Sequence, residues 1–229
     1  MGLAHGPLVA LALWGATPGA AAPAAAAAAP KTSLDPVATI REAERRLRGA
    51  LDGGGGRAAV AALSLDYLDY EDLARRSLGK HWARQKPADR AALVKALRAL
   101  LEETYLPRLQ PGASYAFEAT LVRRAGGDAE VRAKASGNGQ EVPLEFRMWR
   151  GQDGHWRVYD ATVVGLALLE GYQEQFPQLI ELGGMKRLLA QLEDERRAAQ
   201  VKNEGRAKAT ATPSPTAPPA PAPAPTTPR

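Results

Sequence analysis

The chain contains no cysteine, so any chemistry must come from its other side chains. That excludes a thiol nucleophile, a thiolate-ligated metal and a disulfide framework. The three histidines are His5, His81 and His155. None stands in a His-x-x-His or His-Glu-x-x-His spacing, so no zinc site is expected. No Gly-x-Ser-x-Gly elbow supports a Ser-His-Asp triad. No P-loop is present, and no Gly-x-Gly-x-x-Gly follows a strand; Gly53 to Gly56 reads as a turn between helices. One acid remains to be weighed. Asp160 sits between Tyr159 and Ala161 in a strand that otherwise reads as largely buried, where it could act as a general base in an apolar cavity. The structural alternative is a carboxylate that braces a tyrosine, an arginine or a backbone N–H. The structural role is favoured, because no second catalytic group lies nearby in sequence. The expectation is a protein without catalytic residue, metal or cofactor.

The elements around Asp160 explain what it would brace. Trp156 to Val163 is a strand that ends at Gly165, read as a hinge into a helix from Gly165 to Phe176. Tyr115 to Leu121, Glu130 to Ser136 and Val142 to Met148 alternate with period two and are separated by glycine turns. Before them, Asp35-Pro36 opens a helix as cap and first residue. A short helix is expected from Arg57 to Leu63. Asp69 caps another helix, with Leu68 and Leu73 spaced as a hydrophobic staple. Leu93, Leu97, Leu100, Leu101 and Tyr105 form one broad stripe on the strongest helix. A last helix is expected from about Met185 to Lys202. The order of helices, then sheet, then helices is that of an α+β domain. Its parts are N-terminal helices, a four-stranded antiparallel twisted sheet, and C-terminal helices that enclose an apolar pocket.

The chain ends limit where this domain lies. Residues 1–22 have the outline of a secretory signal peptide, with Ala20-Ala21-Ala22 as the small residues of a cleavage site. No Cys follows for lipid attachment. Residues 23–34 read as a flexible Ala/Pro leader, residues 35–204 as the domain, and residues 205–229 as a disordered Ala/Pro/Thr tail. The net charge is +5. Arg206, Lys208 and Arg229 lie in the acid-free tail, so the body is nearly neutral, which argues against a nucleic-acid partner. Exposed arginines such as Arg75, Arg76, Arg123 and Arg124 could face anionic lipid or an acidic docking site; solvated faces account for them equally.

Three blocks taken together carry a family resemblance. The first runs from Asp69-Tyr70-Glu71-Asp72-Leu73 through Leu78-Gly79-Lys80-His81-Trp82. The second is Pro87-Ala88-Asp89-Arg90 leading to Thr104-Tyr105. The third is Trp156-Arg157-Val158-Tyr159-Asp160, then Val164-Gly165-Leu166-Ala167-Leu168 and Tyr172 to Phe176. In this order, over about residues 35–195, the chain resembles the MlaC (toluene-tolerance) family. It departs from the family pattern at Asp89, Ala167, Gly171 and Gln173, where the family has Gln, Ser, Asn and Arg. The resemblance implies a periplasmic phospholipid carrier that works between an outer-membrane lipoprotein–porin complex and an inner-membrane MCE/ABC transporter. It implies a monomer with a phospholipid ligand; a hopanoid is the variant.

On this reading Leu97, Leu101, Tyr105, Leu144, Phe146, Val158, Val163, Leu166 and Leu169 line the lipid pocket, and Tyr159, Asp160 and Gly165 hold its wall. Moving acyl chains through water costs about 0.8 kcal/mol per exposed methylene, so a carrier needs a deep apolar slot. Two rivals remain. One is a small isomerase-like enzyme using Asp160, and the other is an interaction module without cargo.

Overall fold

The computed structural model describes residues 35–109, 112, 114–137 and 139–211. The expected signal peptide, the leader up to Leu34, and the tail beyond Ala211 lie outside the described residues. The architecture is α+β, as the patterning requires.

Helices come first. Helix α1 (Pro36–Asp52) starts where the Asp35 side chain accepts from the Ala38 N–H and Pro36 takes the first position. Helix α2 (Gly56–Tyr67) runs a full turn beyond the expected end at Leu63. No breaker stands between Leu63 and Tyr67, and burial of Val60 and Tyr67 holds the extra turn in place. Helix α3 (Tyr70–Leu78) is capped by Asp69, which accepts from the Asp72 N–H at 2.8 Å. A 3-10 turn, Gly79–Arg84, leads to α4 (Pro87–Tyr105), the leucine-striped helix.

The sheet follows as an antiparallel meander of β1 (Ala116–Ala125), β2 (Asp128–Gly137), β3 (Gln140–Arg150) and β4 (Trp156–Val163). A fifth strand, β5 (Leu166–Ala167), was not expected. It corrects the reading of Gly165 as a hinge into a helix. Val164 and Gly165 have φ of 51° and 77°. Positive φ at both central residues is the mark of a tight hairpin turn. The chain therefore reverses, and Val163 pairs with Leu166 and Thr162 with Ala167. Glycine supplies its positive φ freely, whereas the β-branched Val164 is strained there.

Helix α5 (Leu168–Ala211) begins only after this reversal, so the helix expected from Gly165 starts three residues later. It breaks at Gly183-Gly184, where Gly184 has φ of 67°. Its second half continues to Ala211, into the stretch assigned to the tail. The residues before Pro213 are mostly good helix formers. Asn203 also clasps α4, donating to the Glu103 carbonyl and carboxylate at 2.8 and 2.9 Å.

The apolar interior is divided. One cluster unites α3, α4 and α5 around Leu78, Leu93, Leu97, Phe176 and Leu188. The other lies between α1 and the sheet around Ile40, Val131, Met148, Trp156 and Val158. Among the described residues, Leu68 is the side chain packed against both.

Candidate functional site

Pairing in the sheet decides which side chains share a face. Val131 stands opposite Phe146, Ala133 opposite Leu144, and Ala129 opposite Met148. Across β3 and β4, Leu144 meets Val163, Phe146 meets Ala161, and Met148 meets Val158. Strict alternation would put Val158 and Val163 on opposite faces. A register shift between Arg147 and Met148 makes Tyr159 the extra residue and returns both valines to one face. The result is a continuous apolar surface. It is closed at the Val131, Met148 and Trp156 end, where these side chains are fully buried. It is only half covered at Leu144, Phe146 and Val163.

The same bulge sets the brace. Tyr159 packs against the helical cluster, and the Arg76 guanidinium lies 3.8 Å from its ring centroid. Asp160 is buried and turned toward the start of α5. Its Oδ1 accepts from the Leu169 N–H at 2.9 Å, and its Oδ2 lies 3.4 Å from Arg147 Nη1. Both carboxylate oxygens are thus engaged. Asp160 satisfies an otherwise orphaned N–H in the first turn of α5 and ties that helix to β4. In this geometry the carboxylate links β4 to α5.

A second strut joins the layers at the other end. Leu68 bridges to Val158, and the Asp69 N–H donates to the Val158 carbonyl at 2.8 Å. Asp69 also accepts from Trp149 Nε1 at 2.9 Å. One carboxylate therefore caps α3 and anchors β3. Its capping role was legible in sequence; its bond to an indole eighty residues away was not.

The expected pocket residues divide between the two clusters. Leu97, Leu101 and Leu169 are buried in the helical one. Val158 is buried in the sheet cluster, and Leu144 and Phe146 pack on its margin. Val163 is half-buried opposite Leu144, and the backbone of Leu166 pairs beside it. Tyr105 ends α4 with 36% of its surface exposed. Tyr172, quoted in the third block but not expected in the pocket, packs on the helical cluster and stacks on Phe176 at 4.8 Å. Burial, with the Tyr105 phenol and the Glu195 carboxylate nearby, holds its hydroxyl well above the usual phenol range. An open groove of about 550 Å³ lies elsewhere, on the helical layer between Leu65, Trp82, Pro87 and Val94. None of the expected pocket residues lines it.

One polar group outside the sheet bears on chemistry. His81 is buried, with its Nε2 3.5 Å from a Glu181 carboxylate oxygen. Among the described residues no group of three His, Asp or Glu side chains is placed to hold a metal ion. No helix among them is long and apolar enough to cross a membrane.

Comparison with known proteins bears on this arrangement. The family model described as "MlaC protein" matches residues 45–194, which span α1 to α5 and the whole sheet. No curated protein matches the chain. Among solved structures, a phospholipid-binding protein from Ralstonia solanacearum, in complex with a phospholipid, is 25% identical with a TM-score of 0.65. The match covers 72% of this chain and 98% of that one.

Proposed function

Given that the chain belongs to the MlaC family, we propose that it is a phospholipid carrier that shelters acyl chains at the seam between its two apolar clusters. The carrying observation is the divided interior. A domain of this size ordinarily packs one contiguous core. Here, among the described residues, the two clusters share a single packed side chain, Leu68, and the sheet face is finished at one end only. A guest chain inserted there would complete the core, with Leu144, Phe146 and Val163 on the sheet wall and Leu101, Tyr105 and Leu169 on the helical wall. The Ralstonia protein, with the same fold, holds a phospholipid. Asp160, Asp69 and Leu68 tie the layers together, so the walls can part without the domain coming apart.

In this reading the protein works in the periplasm as a monomer. It takes lipid from one membrane complex and delivers it to another, an outer-membrane lipoprotein–porin complex and an inner-membrane MCE/ABC transporter being the two ends. Such a carrier needs no catalytic residue and no cofactor, which agrees with the engaged carboxylate of Asp160.

Native mass spectrometry of the full chain, purified without added lipid, tests the proposal. The expected spectrum shows one bound phospholipid per chain, and solvent extraction identifies it; a hopanoid would be distinguished by mass. Lipid-free protein that also takes up none from phosphatidylglycerol vesicles would overturn it.

A further inference from the structure

Strand β1 forms one edge of the sheet, paired with β2 on one side and with no strand among the described residues on the other. The two halves of that edge are treated differently. Helix α1 guards the first half. Arg41 donates to the Ala119 carbonyl at 2.9 Å, and Arg48 donates to the Tyr115 carbonyl at 3.3 Å while lying 4.2 Å over its ring. From Thr120 to Ala125 every residue is exposed. Leu121 and Val122 each show 45% of their surface. The register slips between Leu121 and Arg123. Arg124 lies over the Trp156 ring at 5.2 Å. Arg123 faces Glu130 across the ladder but closes no ion pair with it, and it has no other hydrogen-bond or ion-pair partner among the described residues.

An open edge offers a row of backbone donors and acceptors to any chain that can lie along it. Charges and bulges blunt such edges. Here two aliphatic side chains stand beside the charges, so an incoming strand gains side-chain contact as well as a ladder. We infer that Thr120 to Ala125 is a docking edge for an extended segment of another protein, in which acidic residues alternate with aliphatic ones.

Charge selects this occupant over the others. Antiparallel pairing of the unguarded half with a second copy would set Val122 opposite Arg123 and Leu121 opposite Arg124. Each arginine would then meet an aliphatic side chain, and four arginines would share one short ladder with no acid from either edge to neutralise them. The chain's own remaining segments do not complement it either, since residues 1–34 and 212–229 contain no Asp or Glu. An acidic strand from a partner neutralises Arg123 and covers Leu121 and Val122. The inference stands apart from the lipid reading, because none of these six residues belongs to either apolar cluster.

Amide hydrogen exchange followed by NMR on the full chain tests it. The probe is the blocked peptide Thr-Glu-Val-Glu-Val-Thr, and the control has Lys in place of Glu. With saturating Glu peptide, exchange within Thr120 to Ala125 slows by about tenfold, and the Lys peptide leaves it unchanged. Arg123→Gln abolishes the difference between the two peptides; because Arg123 holds no partner and Gln sets no like charge opposite Glu130, the variant keeps its spectrum elsewhere and its bound lipid. Equal slowing by both peptides, or none with the Glu peptide, would overturn the inference. So would slowing without peptide that grows with protein concentration, which would assign the edge to a second copy.

Discussion

The helical and sheet halves of the interior are built from different materials. Between α3, α4 and α5 the core is made of large side chains with no exposure, among them Leu78, Leu93, Leu97, Phe176 and Leu188. Against the sheet, Ala119, Ala129 and Ala133 take up much of the buried face, and larger residues such as Leu144 and Phe146 remain at its margin. The first region is built round large side chains that are fully buried. The second has small residues where it could have large ones, and apolar surface left half covered. On the proposed reading, stability resides chiefly in the helices and room for a guest at the sheet.

The largest effect expected to probe that contrast is on the helical side. Leu97→Ala should cost about 3 kcal/mol, by lost burial plus an unfilled cavity. Leu144→Ala should cost much less stability and instead lower lipid occupancy. Chemical denaturation checks the first outcome, and native mass spectrometry the second. Equal destabilisation by both would erase the distinction between the halves.

Next comes the strut. Asp160→Ala leaves the Leu169 N–H without its acceptor and should cost about 2 kcal/mol. Asp160→Asn keeps an acceptor oxygen and should lose less. If both variants keep wild-type melting temperatures, Asp160 does not brace α5.

Overpacking sharpens the same contrast. Ala74 is fully buried in the helical cluster and Ala133 nearly so in the sheet cluster. Ala74→Leu should cost about 1–3 kcal/mol, as extra methylenes do in a tight core. Ala133→Leu should cost less and exclude lipid, because its added carbons occupy the guest's space. Melting with and without extracted lipid distinguishes them.

The smallest effect is confined to acid. Glu103 accepts from Arg57 at 2.8 Å and from Asn203, and the Arg57 hydrogen bond chiefly holds its carboxyl below the usual range. A folded-state pKa below the unfolded one stabilises fully above the unfolded value, about 4.3, and that stability is lost as pH falls through the folded value. Wild type should melt above Glu103→Gln at neutral pH, and the two should converge in acid. A constant gap from neutral pH to pH 3 would remove this carboxylate from the clasp between α4 and α5.

Much of the scaffold was legible locally. Asp35-Pro36 and Asp69 announce helix starts through short-range capping, and the period-two runs announce strands. Gly165 shows where local reading fails. A glycine after a strand suits a hinge or a tight turn equally, and only the pairing of Val163 with Leu166 makes it a turn. The residues expected to line a pocket were harder still. Leu97 and Leu144 are both leucines on apolar faces, yet one is sealed in a finished core and the other sits at an open margin. Nothing in residue type separates these positions, because fully buried and half-covered apolar faces share a composition.

By itself the sequence determined the α+β order, the helix caps, the alternating strand faces and the lack of thiol chemistry, since each depends on residues within a few positions of one another. The tertiary structure decided that Tyr159 bulges so that Val158 and Val163 share a wall, that Asp160 ties β4 to α5, and that the interior divides at Leu68. Those features arise from contacts between elements distant in the chain, where register and packing, rather than residue type, determine what each side chain meets.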